Sequence, residues 1–228
     1  MRKLVFESNI CVFNGRMGQS TLLEVNFTDS VGFYNTQLKA TQIRHSNFLN
    51  QVYFKYVDFA ETFMVYSLFE NQVSFYSANF TRAELKHSKF SRQVTFINSI
   101  FSGSFVKLSH FTEVVFKNCT FKAVQFESNR FKDTRFEGCR FSDNVWKDLE
   151  MINLTFVDCN LDSVEFSNSK MNNRTFTHSN LVDIQSNNVS IANSTIEDSY
   201  LHENECVDNC EPGIIWRNNA SRWIKQKY

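Results

Sequence analysis

The sequence contains very few of the residues that usually turn or break a chain. Its 228 residues include only 1 proline and 6 glycines. A β-protein made of hairpins needs glycine, Asn-Gly or proline at its turns. The shortage argues against hairpins and indicates that any strands are joined by corners of another kind.

An excess of charge and long apolar runs are also missing. The 24 basic and 24 acidic residues cancel, which argues against a nucleic-acid binder and against an acidic mimic of DNA. No run reaches the roughly 18 apolar residues of a membrane span. The N-terminus "MRKLVFESNICVF" lacks the apolar segment of a signal peptide. We therefore expect no membrane span and a cytoplasmic protein, or a luminal or secreted one if the chain is an excised fragment.

Phenylalanine, in contrast, is abundant and periodic. The chain has 25 Phe, and apolar residues recur every five positions in the second half. Twenty of the 21 positions in this series are apolar, namely all except Ser186 in the set Phe101, Val106, Phe111, Phe116, Phe121, Phe126, Phe131, Phe136, Phe141, Trp146, Met151, Phe156, Leu161, Phe166, Met171, Phe176, Leu181, Ser186, Ile191, Ile196 and Leu201. A period of five fits neither a helix nor an ordinary strand. It predicts a chain that turns a corner every five residues.

The first half follows a variant of this period, with steps of 6, 5, 5 and 5 residues from Phe6 to Phe96. Four steps make one coil, so residues 1–95 are predicted to form coils of 21 residues and residues 96–203 coils of 20 within the same solenoid. Residues 204–228 are predicted to be a C-terminal cap or tail. Four corners per coil predict a square cross-section.

A second series lies two residues before each central residue, where side chains should also point inward. Small or β-branched residues dominate it, so that one layer of large rings can fill a narrow bore. The exceptions Asn129, Asn144 and Arg174 are predicted to mark coils that bulge or widen. Gln51, Gln72 and Gln93 lie beside the six-residue steps, and we expect them to form an amide ladder with Asn9 and Ser30.

Stretches such as "CTFKA", "CRFSD", "CNLDS" and "SNLVD" resemble the repeating unit of the pentapeptide-repeat family over about residues 4–203. The resemblance implies an all-β fold, a right-handed quadrilateral parallel β-helix of about ten coils. Heavy use of Phe, scarcity of Ala and the six-residue steps depart from the family pattern. "FKNCTFKAVQFESNRF" also resembles the luminal pentapeptide loops of synaptic-vesicle glycoproteins, which serve as receptors for neurotoxins, and bacterial pentapeptide-repeat effectors are a further similar group.

The period fades after Leu201, and a short capping helix is predicted to begin near Pro212. Trp216 and Trp223 would cover the last coil, with Arg217 and Arg222 elsewhere on the helix. The alternatives for this segment are a homodimer contact and a basic amphipathic element at a membrane surface. Cys206 and Cys210 are candidates for a disulfide in an oxidising compartment.

Two columns of residues one coil apart bear on other sites. Cys119, Cys139 and Cys159 fall at the small inward position, where we expect reduced thiols packed as small apolar groups. Of the eight Asn-x-Ser/Thr sequences, Asn79, Asn118 and Asn153 are the candidate glycosylation sites. Lys107 with Glu127, and Lys117 with Glu137, are expected to form exposed ion pairs.

No phosphate loop, catalytic triad spacing or metal-ligand cluster is present in the sequence, and a filled bore leaves no cleft for a small substrate. We therefore expect no enzymatic activity, no cofactor and no metal. The interpretation favoured by the sequence is a protein–protein interaction or scaffold module with a rigid face. The alternatives are a luminal or extracellular receptor-like glycoprotein domain and a structural or ice-binding surface formed by Asn-x-Thr rungs.

Overall fold

The structure is a computed structural model that describes residues 4–6, 10–202, 204–207, 214–217 and 224–227. Every regular element among these residues is a β-strand, and all strand pairs are parallel. The strands form a parallel β-solenoid of about nine turns. The all-β solenoid predicted from the five-residue period is confirmed, with about nine turns where about ten coils were expected.

Each coil has four faces, which we number from I to IV in chain order and define by their central inward residues. In the coil that begins near residue 45, these residues are Phe48 on face I, Phe54 on face II, Phe59 on face III and Met64 on face IV, and all four are buried. Parallel pairing places each of them against its counterpart one coil away. The four-sided coil predicted from the spacing is therefore present.

The strands are distributed over the four faces. Face I contains Leu4–Phe6, Val25–Phe27, Asn47–Leu49, Leu68–Glu70, Arg130–Lys132, Glu150–Ile152, Lys170–Asn172 and Ser190–Ala192. Face II contains Ile10–Phe13, Val31–Tyr34, Val52–Lys55, Ser74–Tyr76, Arg135–Glu137, Thr155–Val157, Thr175–Thr177, Ser194–Glu197 and Ile214–Arg217. Lys89–Ile97 and His110–Lys117 run through the corner between faces I and II.

Face III contains Thr120–Lys122, Asn180–Val182 and Tyr200–His202, and its earlier coils are joined by single bridges. Face IV contains Thr21–Leu23, Gln42–Arg44, Phe63–Val65, Glu84–Lys86, Phe105–Lys107, Gln125–Glu127, Gln185–Asn187, Asn204–Val207 and Ile224–Lys227. Arg140–Lys147 and Asn160–Ser167 run through the corner between faces III and IV.

The length of the coil changes near the middle of the rod. Lys89 pairs with His110, which is 21 residues later, whereas Val94 pairs with Val114, which is 20 residues later. The register shifts between Ser91 and Val94, because the six-residue corner of one coil faces a five-residue corner in the next. Later pairs, such as Phe105 with Gln125, keep the 20-residue offset.

The bore is filled by stacked aromatic rings. Phe48 and Phe69 on face I have ring centroids 4.7 Å apart and planes 1° from parallel, and Phe54 and Phe75 on face II are 4.8 Å apart. Rings on adjacent faces meet edge to face, as Phe48 and Phe54 do at 5.5 Å. Offset-stacked and edge-to-face contacts are the favourable arrangements for aromatic rings, so the abundance of Phe is explained by the core.

The corners explain how the chain turns with so few glycines. Among the described residues, 37 residues other than glycine have a positive φ, and they recur at the corners two positions after a central residue. Many are Asn or Asp, such as Asn118 with φ of 52° and Asp158 with 52°. These side chains tolerate the left-handed region better than most, so glycine is not required at each turn.

The small inward residues satisfy backbone groups across coils. On face I, the Ser67 N–H donates to Ser88 Oγ at 3.3 Å, and the Ser88 N–H donates to Ser109 Oγ at 3.2 Å. A buried N–H without a partner is costly, so a short side chain with an oxygen suits this position. Serine is therefore favoured here for its hydrogen bond as well as for its size.

The same bonding corrects the prediction for two of the three exceptions. Asn129 Oδ1 accepts the Ser109 N–H at 2.9 Å, and its Nδ2 donates to the Val106 carbonyl at 2.8 Å. Asn144 bonds in the same way to Val124 and Phe121. Both are buried and the strand register continues past them, so these coils neither bulge nor widen. The third exception, Arg174, is also buried, and its Nε has no hydrogen-bond partner.

The six-residue corners differ in part from the expected amide ladder. Asn50 and Gln51 are consecutive residues with positive φ, at 60° and 65°. Asn71 and Gln72 repeat this pair one coil later, at 62° and 63°. Ser30 Oγ donates to Gln51 Oε1 at 2.9 Å, as expected. However, the hydrogen bond between side-chain amides of neighbouring coils is made by the asparagines, with Asn71 Nδ2 donating to Asn50 Oδ1 at 3.2 Å. Asn9 lies outside the described residues.

The predicted capping helix is wrong for the part of the tail that is described. Ile214–Arg217 is a strand paired with Ser194–Glu197, and Ile224–Lys227 is a strand paired with Asn204–Val207. The physical reason is that the 20-residue offset persists beyond Leu201, so Trp216 falls opposite Ile196. Repeating the ladder satisfies backbone groups that a helix would leave without partners at the edge of the sheet.

Candidate interaction surface

Within the described ranges, no group of three His, Cys, Asp or Glu residues could hold a metal ion. A shallow surface hollow of about 220 Å³ is lined by Asp143, Asn144, Val145, Ser163, Val164, Glu165, Asp183 and Gln185. Ser163 Oγ donates there to Asp162 and Asp183, and the lining contains no histidine or lysine to activate this hydroxyl. The hollow therefore lacks the histidine or lysine base that activates a nucleophilic serine.

The cysteine column lies inside the bore and its thiols are free. Cys119, Cys139 and Cys159 are buried and reduced. Cys119 Sγ and Cys139 Sγ each donate to a backbone carbonyl at 3.3 Å, those of Phe96 and Phe116. Burial raises the pKa of the Cys139 thiol to about 12. The pKa of the Cys159 thiol is raised by its hydrogen bond with Cys139. These thiols are apolar packing groups, as predicted, and not nucleophiles.

The outer surface of face II has an unusual composition in its first five rungs. We call this surface the aromatic face, and it consists of Cys11, Phe13, Asn14, Gly32, Tyr34, Asn35, Tyr53, Lys55, Tyr56, Ser74, Tyr76, Ser77, Thr95, Ile97 and Asn98. Lys55 is the single charged residue in this set. With rungs about 4.8 Å apart, the surface is roughly 20 Å tall.

Large side chains on this surface are exposed. Phe13 is 66% exposed, Tyr56 55%, Tyr53 41% and Tyr76 36%. A soluble protein rarely leaves several neighbouring rings open to water unless they have a binding role. The exposure is a consequence of the coil geometry, because residues on either side of an inward Phe must point outward.

The rings on this surface are held in place by each other and by the backbone. Phe13 stacks on Tyr34 with centroids 4.9 Å apart. A Cβ at position 32 would overlap with the Tyr34 ring, so Gly32 leaves the space that this ring occupies. Asn35 Nδ2 donates to Asn14 Oδ1 at 2.7 Å along the adjacent corner. The surface is therefore ordered before any partner arrives.

Lys55 is positioned by two tyrosines. Its Nζ lies 5.4 Å from the centroid of the Tyr56 ring and 5.6 Å from that of Tyr76. The two rings meet edge to face at 5.8 Å. Cation–π contacts at these distances orient an ammonium group without neutralising it.

The later rungs of face II are different. Lys117 Nζ is 2.9 Å from Glu137 Oε1, and this hydrogen bond holds the pKa of the Glu137 carboxyl below its usual value. His178 lies between Asp158 and Asp198, at 3.7 and 3.6 Å. Here the outward side chains pair with one another, and they have the composition of a solvated surface.

Exposed rings also occur on face IV, but in a charged setting. Phe63 and Tyr66 are exposed, and Tyr66 stacks between His45 and His87 at 5.1 and 4.6 Å. Arg44, Glu84, Lys86 and Lys107 are interspersed with them, and Lys86 Nζ is 2.5 Å from Glu84 Oε2. Face IV therefore lacks the extended uncharged area of the aromatic face. The Lys107–Glu127 pair that was predicted on this face is present at 2.6 Å.

The candidate glycosylation residues occupy different environments. Asn118 is exposed at a corner. Asn153 is exposed as well, but its Nδ2 donates to Asp133 Oδ1 at 2.6 Å. Asn79 is half-buried and donates to Asp58 at 2.9 Å. Glycosylation of these three residues stays a prediction. Among the described residues, Asn79 and Asn153 use their Nδ2 in a hydrogen bond to the preceding coil, and Asn118 does not.

The candidate residues of the tail are only partly described. Trp216 and Arg217 lie in the last strand of face II, and Cys206 lies in Asn204–Val207 on face IV. Arg222, Trp223 and Cys210 lie outside the described residues. The disulfide and the homodimer contact therefore stay predictions. In the part of the chain that the structure describes, no helix has the length and hydropathy needed to cross a membrane.

The aromatic face was missed in the sequence, although a signal for it is present. Phe13, Tyr34, Lys55 and Tyr76 are spaced 21 residues apart, and each follows an inward residue directly. Reading this outward column in the same way as the inward one would have found the surface. The contact of Lys55 with Tyr56 and Tyr76 depends on side-chain geometry, which the column alone does not give.

Comparison with one solved structure, at a TM-score of 0.50, supports the fold. A trypsin-treated variant of QnrB1, a plasmid-mediated fluoroquinolone resistance protein, is 14% identical over 97% of this chain and 92% of its own, with a TM-score of 0.50. HetL, a pentapeptide-repeat protein involved in heterocyst differentiation regulation from the cyanobacterium Nostoc sp. strain PCC 7120, is 12% identical over 83% of this chain and 89% of its own, with a TM-score of 0.29. No protein-family model and no curated protein matches the sequence significantly. The chain has the fold of the pentapeptide-repeat proteins, as its repeat predicted.

Proposed function

We propose that the chain is a non-enzymatic module that binds another protein through the aromatic face. The observation that supports this proposal is the exposure of Phe13, Tyr53, Tyr56 and Tyr76 on a surface with a single charge. The centres of protein interfaces are enriched in aromatic residues and depleted of charged ones, and tyrosine is a frequent hot-spot residue.

The rigidity of the rod favours such a role. Neighbouring coils are joined by backbone hydrogen bonds on face II, such as Val31 N–H to the Gln51 carbonyl at 3.2 Å and Asn35 N–H to the Lys55 carbonyl at 2.9 Å. A surface that is already ordered loses little conformational entropy on binding. A flat face also suits a protein partner better than a small molecule, which requires a concave pocket.

The experiment compares two double variants that each remove two exposed rings. Tyr53→Ser with Tyr56→Ser alters the aromatic face, and Phe63→Ser with Tyr66→Ser alters face IV as the matched control. Each tagged variant is expressed in its native source, isolated, and its co-purifying proteins are quantified by mass spectrometry. We expect proteins that are retained by the unaltered chain and by the face IV variant to be lost from the aromatic-face variant. Equal retention by both variants, with unchanged melting temperatures, would overturn the proposal.

The Asn-x-Thr rungs give less support to the ice-binding alternative. Thr155, Thr175 and Thr195 do stack on face II. However, Arg135 and Glu137 occupy the rung before them, and Glu197 interrupts the last one. The uncharged surface therefore extends over only two full rungs, which is small for recognition of a crystal plane.

A further inference from the structure

We propose that the partner of the aromatic face presents a carboxylate, from an aspartate or glutamate flanked by apolar residues, to the ammonium group of Lys55. This inference rests on the proposed function and specifies the chemistry of the partner. It starts from the isolation of Lys55. The outward residues of face II between Cys11 and Asn98 include no carboxylate, and among the described residues no ion pair involves Lys55.

The setting of Lys55 indicates a specific role for its charge. Tyr56 and Tyr76 contact the ammonium group from the corner and from the next rung. Other lysines of the rod, such as Lys107 on face IV and Lys117 in a later rung of face II, are already paired with a carboxylate of the next coil. Lys55 is exposed and oriented, and the ring faces do not neutralise it. A partner that covers these rings would bury the ammonium group, and an unpaired buried charge is strongly unfavourable. The partner must therefore supply an anion at this point.

A second copy of this chain fits this requirement poorly. Residue pairs across a two-fold interface are reciprocal, so a dimer centred on the aromatic face would bring Lys55 towards Lys55 of the other copy. Like charges across a buried interface cost binding free energy. The same surface offers no carboxylate that could offset this repulsion.

A nucleic acid also fits poorly. Binding to phosphate backbones draws on several Lys or Arg residues at once, and the aromatic face has one cation. A peptide segment with apolar residues around one acidic residue matches both features, because its apolar side chains would cover Phe13, Tyr53 and Tyr56 while its carboxylate reaches Lys55. Charge-assisted hydrogen bonds of this kind are the stronger ones in proteins.

The test uses a phage-displayed library of random 12-residue peptides panned on the full chain. Peptides are counter-selected on the Tyr53→Ser, Tyr56→Ser variant, so that only those that need the aromatic face remain. We expect the enriched peptides to contain Asp or Glu next to aromatic or aliphatic residues. Their affinities are then measured by fluorescence anisotropy for the unaltered chain, for Lys55→Met and for Lys122→Met. Lys122 is an exposed lysine on face III and serves as the matched control.

Lys55→Met is expected to weaken peptide binding by about tenfold to a hundredfold, since it removes one charge-assisted bond. Lys122→Met should leave the affinity unchanged. Replacing the acidic residue of the peptide by its amide should weaken binding to the unaltered chain but have little further effect on Lys55→Met.

Two outcomes would overturn the proposal in different ways. Enriched peptides without acidic residues, or equal affinities for Lys55→Met and the unaltered chain, would overturn the carboxylate assignment and leave the aromatic face as a docking surface. Failure to enrich any peptide over the counter-selecting variant would overturn the docking surface as well.

Discussion

The rings of Phe75 and Phe96 lie on consecutive coils with centroids 4.5 Å apart and planes 4° from parallel. This distance is close to the spacing of neighbouring strands in a sheet. The ring stack and the backbone ladder therefore share one repeat, and each coil can add its ring without straining its hydrogen bonds. Side chains and main chain both favour the same coil height.

A charge placed inside this stack should abolish the fold. Phe121 is buried between Phe101 and Phe141, at 4.9 and 4.8 Å. Phe121→Asp would bury a carboxylate that has no partner in the bore. We therefore expect a loss of more than about 5 kcal/mol in the free energy of unfolding. Circular dichroism and thermal melting measure it. Lys122→Asp, one residue away and exposed, is the control, and native melting of Phe121→Asp would contradict the assignment of the bore.

Removal of the buried arginine should have the opposite effect. Arg174 is 4% exposed, and its Nε has no hydrogen-bond partner. Its Cζ lies 5.4 Å from the centroid of the Phe176 ring. Arg174→Met keeps much of the volume and removes an uncompensated charge, so we expect a gain of about 1–4 kcal/mol in the free energy of unfolding at pH 7.5. Urea melts measure it, and Arg135→Met, an exposed arginine on the same face, should change the value little. A loss of stability on Arg174→Met would contradict this account.

The gain from Arg174→Met should also depend on pH. Burial lowers the pKa of Arg174 to about 9. Below pH 9 the guanidinium is charged in both the folded and the unfolded chain, so the cost of burying it is fully present. Above pH 9 the folded chain loses this proton first, and the cost falls as the pH rises. We therefore expect a smaller difference between Arg174→Met and the unaltered chain at pH 10.5 than at pH 7.5, and an unchanged difference would argue against a buried charged group.

The buried thiols should be inert until the chain unfolds. Cys11 is exposed, whereas Cys119, Cys139 and Cys159 are buried, and the pKa of Cys139 is raised to about 12 by burial. Alkylation by iodoacetamide at pH 8.5 requires an accessible thiolate. Peptide mass spectrometry should find Cys11 modified in the native protein and Cys119, Cys139 and Cys159 modified only in denaturant. Rapid native modification of Cys139 would show that the bore opens.

The hydrogen bonds that join neighbouring coils inside the bore should contribute more than those on the corners. Asn129→Ala would leave the buried Ser109 N–H without its side-chain acceptor and remove a bond to the Val106 carbonyl, and we expect a loss of about 1–3 kcal/mol in the free energy of unfolding. Asn153→Ala removes exposed bonds to Asp133 and Asn173 and should cost about 1 kcal/mol or less. Chemical denaturation compares the two. Equal losses would mean that the inward asparagine is not a structural bridge.

The predictability of the structure differs between the inside and the outside of the rod. Phe54, Phe59 and Met64 could be placed from spacing alone, because burying a large residue at each side of a narrow coil imposes a strict period. The role of Asn129 could not be predicted in this way. It depends on an N–H and a carbonyl about 20 residues away in sequence, which only the folded coil brings within hydrogen-bond distance. The prediction for the tail was wrong because Pro212 favoured a helix locally. The strand Ile214–Arg217 forms instead because it pairs with Ser194–Glu197, 20 residues earlier, which local sequence does not indicate.

The candidate site was less predictable than the fold. Outward residues obey no packing rule, so Tyr53 and Tyr56 are not distinguished by periodicity from other exposed positions. What distinguishes them is the absence of charge on the neighbouring rungs and the contacts of Lys55 with two rings. The first could be read from the sequence once outward residues 21 positions apart are aligned, whereas the second requires the side-chain geometry.

The position of the aromatic face along the rod has a further consequence. It ends at the rung of Phe96, and face II continues for six more rungs to the strand Ile214–Arg217. At about 4.8 Å per rung, the rung of Phe96 and the strand Ile214–Arg217 are held roughly 29 Å apart by a stiff body. The later coils therefore have the geometry of a molecular spacer: if the aromatic face binds a partner as proposed, they would set the distance between that partner and the strand Ile214–Arg217.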